Sequence, residues 1–328
     1  MQRTADPRFI HVFDVRRLVV LAEVARAGSL SAAAVTLSYT TSAVSQQITA
    51  LERDVGCALL VRGPSGARLT PAGTRLLDHA PTILGAISSA ERDLARLAST
   101  GPGVVRIASF ASAAAAILPP ALARLRTVFP GVGVELVAVD PSDGVALLRT
   151  GEVDAAMITE VPGDSAEFPD VATVGVYDDE FFVVLPLAHP LADRIELPFS
   201  ALAQENWVVS SETGECPDTR VFRTACKRAG FEPSVTFRAE DYPTVQGLVA
   251  AGLGVSLVPS LAAANARLDV AVRRVAGIRP VRRISIATKT APTPKSMLGA
   301  LVALVAAAGS QLTDDAVYSV PAHAFSVA

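Results

Sequence analysis

The stretch from Ser31 to Val55 constrains the fold of this chain more than any other. Ser31 can cap a short alanine-rich helix over residues 32–37, and the run Ser38-Tyr39-Thr40 interrupts it. A second helix is predicted from Thr41 to Val55 and stops at Gly56, because glycine suits the left-handed conformation beyond a helix end. Its apolar residues recur at spacings of 4, 3 and 4, which indicates one buried face: Val44, Ile48, Leu51 and Val55. Two short helices joined by a tight turn are typical of a helix-turn-helix.

Small polar side chains occupy the first turns of the second helix, where they could approach the edges of bases: Thr41, Ser42, Ser45 and Gln46. After Gly56, two short apolar runs flank the turn-rich residues 63–66, which predicts a hairpin wing. Arg62 and Arg68 on this wing are expected to be free to contact phosphates. Thr70-Pro71 then places a hydroxyl cap before a proline at the first position of a further helix. These features predict a head over residues 14–70 that binds double-stranded DNA.

Three segments of this region occur in the order that one family shows: residues 27–34 (Ala-Gly-Ser-Leu-Ser-Ala-Ala-Ala), 42–52 (Ser-Ala-Val-Ser-Gln-Gln-Ile-Thr-Ala-Leu-Glu) and 69–73 (Leu-Thr-Pro-Ala-Gly). From Val15 to about Leu77 the chain resembles, without a gap, the winged helix-turn-helix of LysR-type transcriptional regulators. The resemblance implies that the chain regulates transcription. Gln46 stands where the family often carries arginine, and Ser65 where many members carry a basic residue. These two departures concern the operator sequence.

The charge of the chain is divided unevenly along its length. Residues 1–70 hold eight arginines against five acidic residues, a net charge of +3, whereas the remainder carries −6. Weak basicity in a single head favours an assembly that pools phosphate contacts, a homodimer or a homotetramer. No apolar run approaches the roughly 20 residues that span a bilayer, and residues 1–14 lack a hydrophobic stretch. We therefore expect a cytoplasmic protein that has no membrane partner.

Residues 71–99, which follow the head, keep a heptad-like apolar spacing. The seam includes Leu76, Ile83, Ile87 and Leu94, and few residues on the opposite face could bury it within one chain. We predict a long linker helix that dimerises, and the alternative is a helix that lies on its own domain. Pro81 removes a backbone donor inside this pattern and predicts a kink, whereas residues 99–103 predict a hinge.

From residue 103 onward, short strands alternate with helices in the order βαβαβ, and the same order recurs after residue 206. This alternation predicts a two-lobed α/β domain over residues 103–312, whose parallel sheets carry helices on both faces. Lobe 1 is placed at about 103–173 and 271–312, and lobe 2 at about 174–270, with residues 174–186 as an extended crossing strand. Residues 182–192 and 248–259 resemble the periplasmic-binding-protein-like effector domain of the same family. Residues 313–328 show no periodicity and are predicted to form a tail.

Hydroxyl side chains follow the carboxyl ends of several predicted strands, where ligands of α/β sheets bind. The candidate effector-binding residues are Ser109, Ser112, Ser142, Thr159, Ser210 and Thr213, with Ser112 the best single contact. Any one of these hydroxyls could instead only cap a helix. Several together favour a small effector with a carboxylate, and the nearby Glu212 and Glu215 suit a ligand that also carries a positive charge.

The sequence offers no catalytic or metal-binding pattern. No serine sits in a Gly-x-Ser-x-Gly elbow, and the four histidines lie in unrelated segments without metal-ligand spacing. No enzymatic activity, metal or cofactor is therefore expected. Cys216 and Cys226 are similar to the paired cysteines of peroxide-sensing members of the family, which leaves thiol redox sensing as an alternative. A second alternative is a small-molecule binding protein without DNA affinity.

Overall fold

A computed structural model describes residues 14–63, 66–98, 103–163, 168–210 and 216–312. These residues form two units, of which the first holds the chain up to Ala98 together with Arg149–Glu152 and the second holds the rest. The predicted wing tip at residues 64–65, the hinge at 99–102, Thr213 with its neighbours Glu212 and Glu215, and the tail at 313–328 lie outside the described residues.

The described head contains three helices and a hairpin, followed by the linker helix α4: α1 (Val15–Ala27), α2 (Leu30–Thr36), α3 (Thr41–Val55), β1 (Leu60–Gly63), β2 (Gly66–Leu69) and α4 (Pro71–Ala98). The predicted cap of α2 was wrong, because the Ser29 hydroxyl, and not that of Ser31, accepts from the Ala32 N–H at 3.1 Å. Gly28 takes a left-handed conformation that ends α1, so the next residue, Ser29, is already the N-cap of α2. The predicted bounds of α3 are confirmed, with Thr40 as its cap.

The head packs around the predicted apolar face of α3 and an apolar stripe on α1. Leu18, Leu21 and Val24 of α1 are fully buried against Val44, Ile48 and Leu51 of α3. The Glu52 carboxylate ties α3 to the wing, because it accepts from the backbone N–H groups of Leu59 and Leu60 at 2.8 and 3.1 Å. The outer face of α3 is thereby held at a fixed position beside the hairpin.

Helix α4 begins as the Thr70-Pro71 pair predicts, since the Thr70 hydroxyl accepts from the Gly73 N–H at 3.0 Å. Within the predicted seam, Leu76 and Ile83 pack against the core of the head itself. Ile87 and Leu94 further along are exposed, at 39% and 66% of their surface. The helix continues through Pro81 without interruption. The alternative of a helix on its own domain therefore holds for the first half of the seam, and dimerisation stays a prediction for the second.

The second unit is built on one eight-stranded sheet and a separate strand pair, as far as its residues are described. Its elements are β3 (Val104–Ser109), α5 (Ala111–Ala116), α6 (Leu118–Val128), β4 (Gly133–Ala138), α7 (Pro141–Thr150), β5 (Ala155–Glu160), β6 (Ala172–Pro186), β7 (Glu196–Pro198), a 3-10 helix (Phe199–Leu202), β8 (Asn206–Val209), α8 (Pro217–Arg228), β9 (Ser234–Arg238), α9 (Tyr242–Ala250), β10 (Ser256–Pro259), α10 (Ser260–Ala263), β11 (Val270–Ala276), β12 (Val281–Thr288) and α11 (Met297–Gly309).

The long strand β6 crosses between two lobes. Its first half pairs with β12, beside β5, β3 and β4, and its second half pairs with β10 and β11. Strand β11 also pairs with β7, so it belongs to the second lobe, and the predicted boundary at residue 271 fell one strand too early. The second crossing is the short link between β11 and β12. The two-lobed α/β fold is confirmed, whereas the sheet is mixed rather than parallel, because β12 pairs antiparallel with both β5 and β6.

Each lobe has a core of its own. In the first lobe, helices α6 and α11 cover the sheet around Ile107, Leu125 and Leu301. In the second lobe, Trp207 is fully buried among Phe199, Phe222 and Phe231, whose ring centroids lie 4.9–6.2 Å from its own. No single helix of the described chain is long and apolar enough to cross a membrane, although α1 and α2, bent by 117°, pass that test as a pair.

Candidate functional site

The exposed face of α3 carries the side chains that the sequence singled out. Thr41, Ser42 and Gln46 are exposed and Ser45 is partly buried, while the opposite face of the helix is closed in the core. Residues Thr41 to Gln46 form the N-terminal part of α3. In helix-turn-helix proteins this end of the second helix contacts base edges in the major groove.

Arg62 is placed differently from the expectation. Its guanidinium lies across the wing onto α3, where it donates to the Ser45 hydroxyl at 3.0 Å and to the Thr49 hydroxyl at 3.4 Å. It is therefore bound to the polar face of α3 rather than free. Arg68 is exposed on β2. The structure thus gathers Arg62 and Ser45 into one surface, which we call the reading face: Thr41, Ser42, Ser45, Gln46, Thr49 and Arg62.

A buried charged network joins the two lobes of the second unit. The guanidinium of Arg282, on β12, is 3% exposed and makes five hydrogen bonds. Two go to Asp179 on β6 at 2.8 and 3.0 Å, and two go to Asp218 on α8 at 2.8 and 3.0 Å. The fifth goes to the Ser112 hydroxyl on α5 at 2.9 Å. Arg282 and Ser112 belong to the first lobe and Asp218 belongs to the second, so the Arg282 guanidinium connects the two lobes.

The remaining acceptors of this network are also satisfied. Asp179 accepts from the Ser260 hydroxyl at 2.7 Å and from the Leu261 N–H at 3.2 Å. Asp218 accepts from the Tyr242 hydroxyl at 2.5 Å. We call Arg282, Asp179, Asp218, Ser112, Tyr242 and Ser260 the interlobe cluster. Buried charges persist only when they are paired and hydrogen-bonded in this way.

The protonation states follow from burial and from the neighbouring charges. Burial alone would lower the pKa of Arg282, but the carboxylates of Asp218 and Asp179 outweigh it and place that pKa above its ordinary value. Burial raises the pKa of Asp179, against the opposing influence of Arg282 and Ser260. Burial, and then the charge of Asp218, raise the pKa of Tyr242 well above its ordinary value. Tyr242 is therefore a neutral donor to Asp218.

The predicted effector residues fall into three groups. Ser112 is a member of the interlobe cluster, and Ser210 adjoins it through a hydrogen bond with Tyr242. Ser109 and Thr159 are buried at the ends of β3 and β5, and Ser109 donates to the neighbouring Phe110 carbonyl. Ser142 is exposed in the first turn of α7, outside the cluster. Ligand contact by any of them stays a prediction.

Sequence reasoning missed the charged members of the cluster. Asp179 lies in the run Tyr177-Asp-Asp-Glu180 inside a strand whose later residues are apolar, and Arg282 lies inside β12. Ionised side chains inside a buried strand are rare unless they are paired. That signal was available, and the two residues are register partners across β6 and β12. The involvement of Asp218 depends on how the lobes meet.

The two candidate redox cysteines lie on one helix. Cys216 is the N-cap residue of α8, and Cys226 lies in its last turn. Ten residues of α-helix separate their Cα atoms by about 15 Å, far beyond the roughly 5.5–6 Å that a disulfide requires. Burial raises the pKa of the Cys226 thiol to about 12. A disulfide between these cysteines would therefore require α8 to unwind.

The chain matches two family models in the same order as its two units. Residues 15–74 match the bacterial regulatory helix-turn-helix of the lysR family, and residues 98–310 match the LysR substrate binding domain. The second match alone covers more than half of the chain. This protein belongs to the LysR family. It is a DNA-binding transcriptional regulator with an effector-binding domain.

Several relatives of this LysR-family regulator match along most of its length. It is 36% identical over 259 residues to the probable HTH-type transcriptional regulator LrrA of Synechococcus elongatus, which covers 79% of this chain and 85% of the relative. It is 32% identical over 270 residues to a probable hydrogen peroxide-inducible genes activator of Mycobacterium avium, which covers 80% and 84%. The fold also matches full-length CbnR in complex with its target DNA, at a TM-score of 0.66 and 24% identity over 90% of this chain and 100% of that one. A C206 mutant of Corynebacterium glutamicum OxyR matches at a TM-score of 0.57 and 26% identity, over 94% of this chain and 93% of that one.

Proposed function

We propose that this LysR-family regulator reads its operator through the reading face of α3. The observation that carries the proposal is the contrast between the two sides of this helix. One side is fully buried at Val44, Ile48 and Leu51, whereas Thr41, Ser42 and Gln46 on the other are exposed. Exposed amides and hydroxyls can bond base edges, and Gln46 suits adenine, with which glutamine forms two hydrogen bonds. Arg68 on the wing supplies a phosphate contact.

Binding occurs through an assembly of at least two chains. Ile87 and Leu94 lie one heptad apart on α4 and leave an exposed apolar stripe beyond the part that packs on the head. Such a stripe is stable in water when a second copy covers it. Two heads then pool their phosphate contacts, which compensates for the weak basicity of each one.

The effector is a small carboxylate-bearing molecule that binds between the two lobes. Support for this site comes from the interlobe cluster, where the Ser112 hydroxyl and the Arg282 guanidinium meet 2.9 Å apart. Arginine is suited to a carboxylate because its planar N–H groups match the two oxygens. A ligand that prefers one arrangement of the lobes can shift the protein only by its difference in affinity for the two arrangements.

Fluorescence anisotropy with duplex DNA from the regulator's own promoter tests the DNA-reading part. We expect binding that weakens with added salt. Arg68→Ala should weaken binding to every sequence and lower the salt slope by about one, because the exposed wing cation that contacts phosphate is lost. Arg53→Ala, at the far end of α3, is the matched control and should change the slope less. Absence of any salt-dependent binding would instead favour a small-molecule binding protein without DNA affinity.

A further inference from the structure

The interlobe cluster holds an unequal number of positive and negative groups. Arg282 supplies one positive charge, Asp179 and Asp218 supply two negative charges, and Tyr242 is a neutral donor to Asp218. Asp179 and Arg282 are register partners on adjacent strands, so they stay together whatever the lobes do. Asp218 stands on α8 in the second lobe, and its bonds to Arg282 therefore link the two lobes.

Separation of the lobes would leave two complementary half-sites. On the first lobe, Arg282 and Asp179 form a neutral pair, but Nη1 of Arg282 loses both of its acceptors. On the second lobe, Asp218 keeps the Tyr242 donor and loses its cation. One half therefore lacks an anionic acceptor and the other lacks a cationic donor. A ligand that fills the gap and excludes water must therefore satisfy both groups, because a buried charge is stable only with a partner.

Only one class of small ligand satisfies both halves. A simple carboxylate would accept from Arg282 but would place a second negative charge beside Asp218, and like charges repel at short range. A simple amine would pair with Asp218 but would leave Nη1 of Arg282 without an acceptor. A molecule with a carboxylate and an ammonium group meets both needs. Since Nη1 lies within 3.0 Å of the Asp218 oxygens, charges one carbon apart fit the smallest opening.

We propose that the interlobe cluster is the ligand-free form of a site for an α-amino acid. The carboxylate of the ligand takes the place of Asp218 on Arg282, and its ammonium group pairs with the Asp218 carboxylate. The direct Arg282–Asp218 pair is thereby replaced by one through the ligand, and the lobes remain joined in a more open arrangement. This inference rests on the proposed effector site between the lobes and names the chemistry of what it binds.

The chain carries its own reporter for this exchange. Trp207 is the single tryptophan of the sequence, and its ring lies 4.9 Å from that of Phe222 on α8, the helix that presents Asp218. A shift of α8 changes the packing around the indole and hence its fluorescence. The intrinsic fluorescence of the full-length protein can therefore be used to measure ligand binding. Aromatic ligands fluoresce themselves, so their binding is measured by calorimetry.

The test titrates full-length protein with each of the twenty common amino acids in three chemical forms. These are the free amino acid, the carboxylic acid without the amino group, and the amine without the carboxylate. We expect at least one free amino acid to bind at least tenfold more tightly than both of its truncated forms. In Asp218→Asn, this preference over the acid lacking the amino group should fall below threefold. Asp178→Asn is the matched control, because its exposed pair with Arg283 lies on the same two strands, and it should keep the wild-type preference.

Two outcomes would overturn the inference: binding of a truncated acid as tightly as its amino acid, or no binding of any amino acid. If Asp218→Asn does not fold, as judged by circular dichroism, the three-form comparison on the wild type decides alone. If carboxylates bind without any preference for an amino group, and Ser112→Ala weakens that binding, the proposed effector site between the lobes would stand and the inference of an amino-acid ligand would fall. If an amino acid binds with the expected preference but does not change DNA binding, the amino-acid site would stand and its proposed role as the effector site would fall.

Discussion

Gln46 and Gln47 are neighbours on α3 with opposite surroundings. Gln46 is exposed on the reading face, whereas the Gln47 side-chain oxygen accepts from Nε of Arg17 at 3.3 Å within the head. Gln46→Ala should relax the preference for the bases that it reads, at a cost of about 1–3 kcal/mol, because a paired adenine contact is lost. Gln47→Ala should leave that preference unchanged. Competition binding with a set of single-base operator variants measures both, and an unchanged preference in Gln46→Ala would place the reading surface elsewhere.

Cys226 couples the stability of the second lobe to alkaline pH. Its thiol is buried beside the aromatic cluster, and burial raises its pKa from an ordinary 9.0 to about 12. The folded state therefore holds the proton more tightly than the unfolded state. This contribution is fully present below pH 9 and is lost as pH rises toward 12. At pH 10.5 the loss of unfolding free energy should reach up to about 2 kcal/mol. The loss grows in proportion to the number of pH units above 9, because one proton leaves the unfolded state but not the folded state.

Urea unfolding at pH 8.5 and 10.5 measures this term. Wild type should lose more stability between the two pH values than Cys226→Ala does, whatever the absolute stability of that variant. Cys57→Ala, at an exposed cysteine of the head, is the control and should keep the wild-type difference. Equal pH dependence in wild type and Cys226→Ala would contradict the assignment.

At the scale of elements, α4 is fastened to the wing by a close backbone approach. A Cβ atom on Gly73 would lie 2.2 Å from the Leu59 carbonyl oxygen and 3.0 Å from the Leu69 side chain. Gly73→Ala should therefore push α4 from the hairpin and destabilise the head by roughly 1–3 kcal/mol, more than the gain in helix propensity. Close packing against Leu59 therefore explains why the Leu-Thr-Pro-Ala-Gly segment ends in a glycine.

Hydrogen exchange localises this effect within the full chain. Peptides from α1 to β2 should exchange faster in Gly73→Ala than in wild type. Gly247→Ala in α9 is the matched control, because its Cβ would meet nothing within 4 Å. That variant should be neutral or slightly more stable. Unchanged protection of the head in Gly73→Ala would show that the contact can relax.

At the scale of the whole molecule, we expect the effector to change the DNA bend more than the total affinity. The proposed effector site lies between lobes joined by two crossings, and in the proposed dimer each head is joined to its partner through α4. A change in the lobes then alters the spacing or angle of paired heads. Ser112→Ala removes the hydroxyl that accepts from Arg282 and should weaken ligand binding about two- to tenfold, the range of one hydrogen bond. Its ligand-free DNA binding should be intact.

Footprints of wild type and Ser112→Ala, with and without the amino acid that binds most tightly, measure this coupling. The wild-type footprint should shift with ligand, and Ser112→Ala should need more ligand for the same shift. Equal shifts at equal ligand concentration would remove Ser112 from the site. No shift in either protein would rule out the bending mechanism.

The sequence by itself determined the features that depend on local chemistry and spacing. The bounds of α3 follow from its apolar period and from Gly56, the start of α4 follows from Thr70-Pro71, and the two-lobed domain follows from alternating strands and helices. These are near-neighbour effects, which a linear pattern records. Ser112 was singled out in the same way, because a strand end followed by a helix start is visible in sequence, and its contact with a ligand stays a prediction.

Only the tertiary structure decided where distant charges meet. Arg282 is bonded to Ser112 and Asp218, which precede it by 170 and 64 residues, and Arg62 is bonded to Ser45, 17 residues before it. No local period encodes such pairs. They form because burial leaves a charge no stable alternative to a partner, and the closing of two lobes selects which partner is in reach. The fold class could therefore be derived from local pattern, whereas the chemistry of the cleft required the lobes to be brought together.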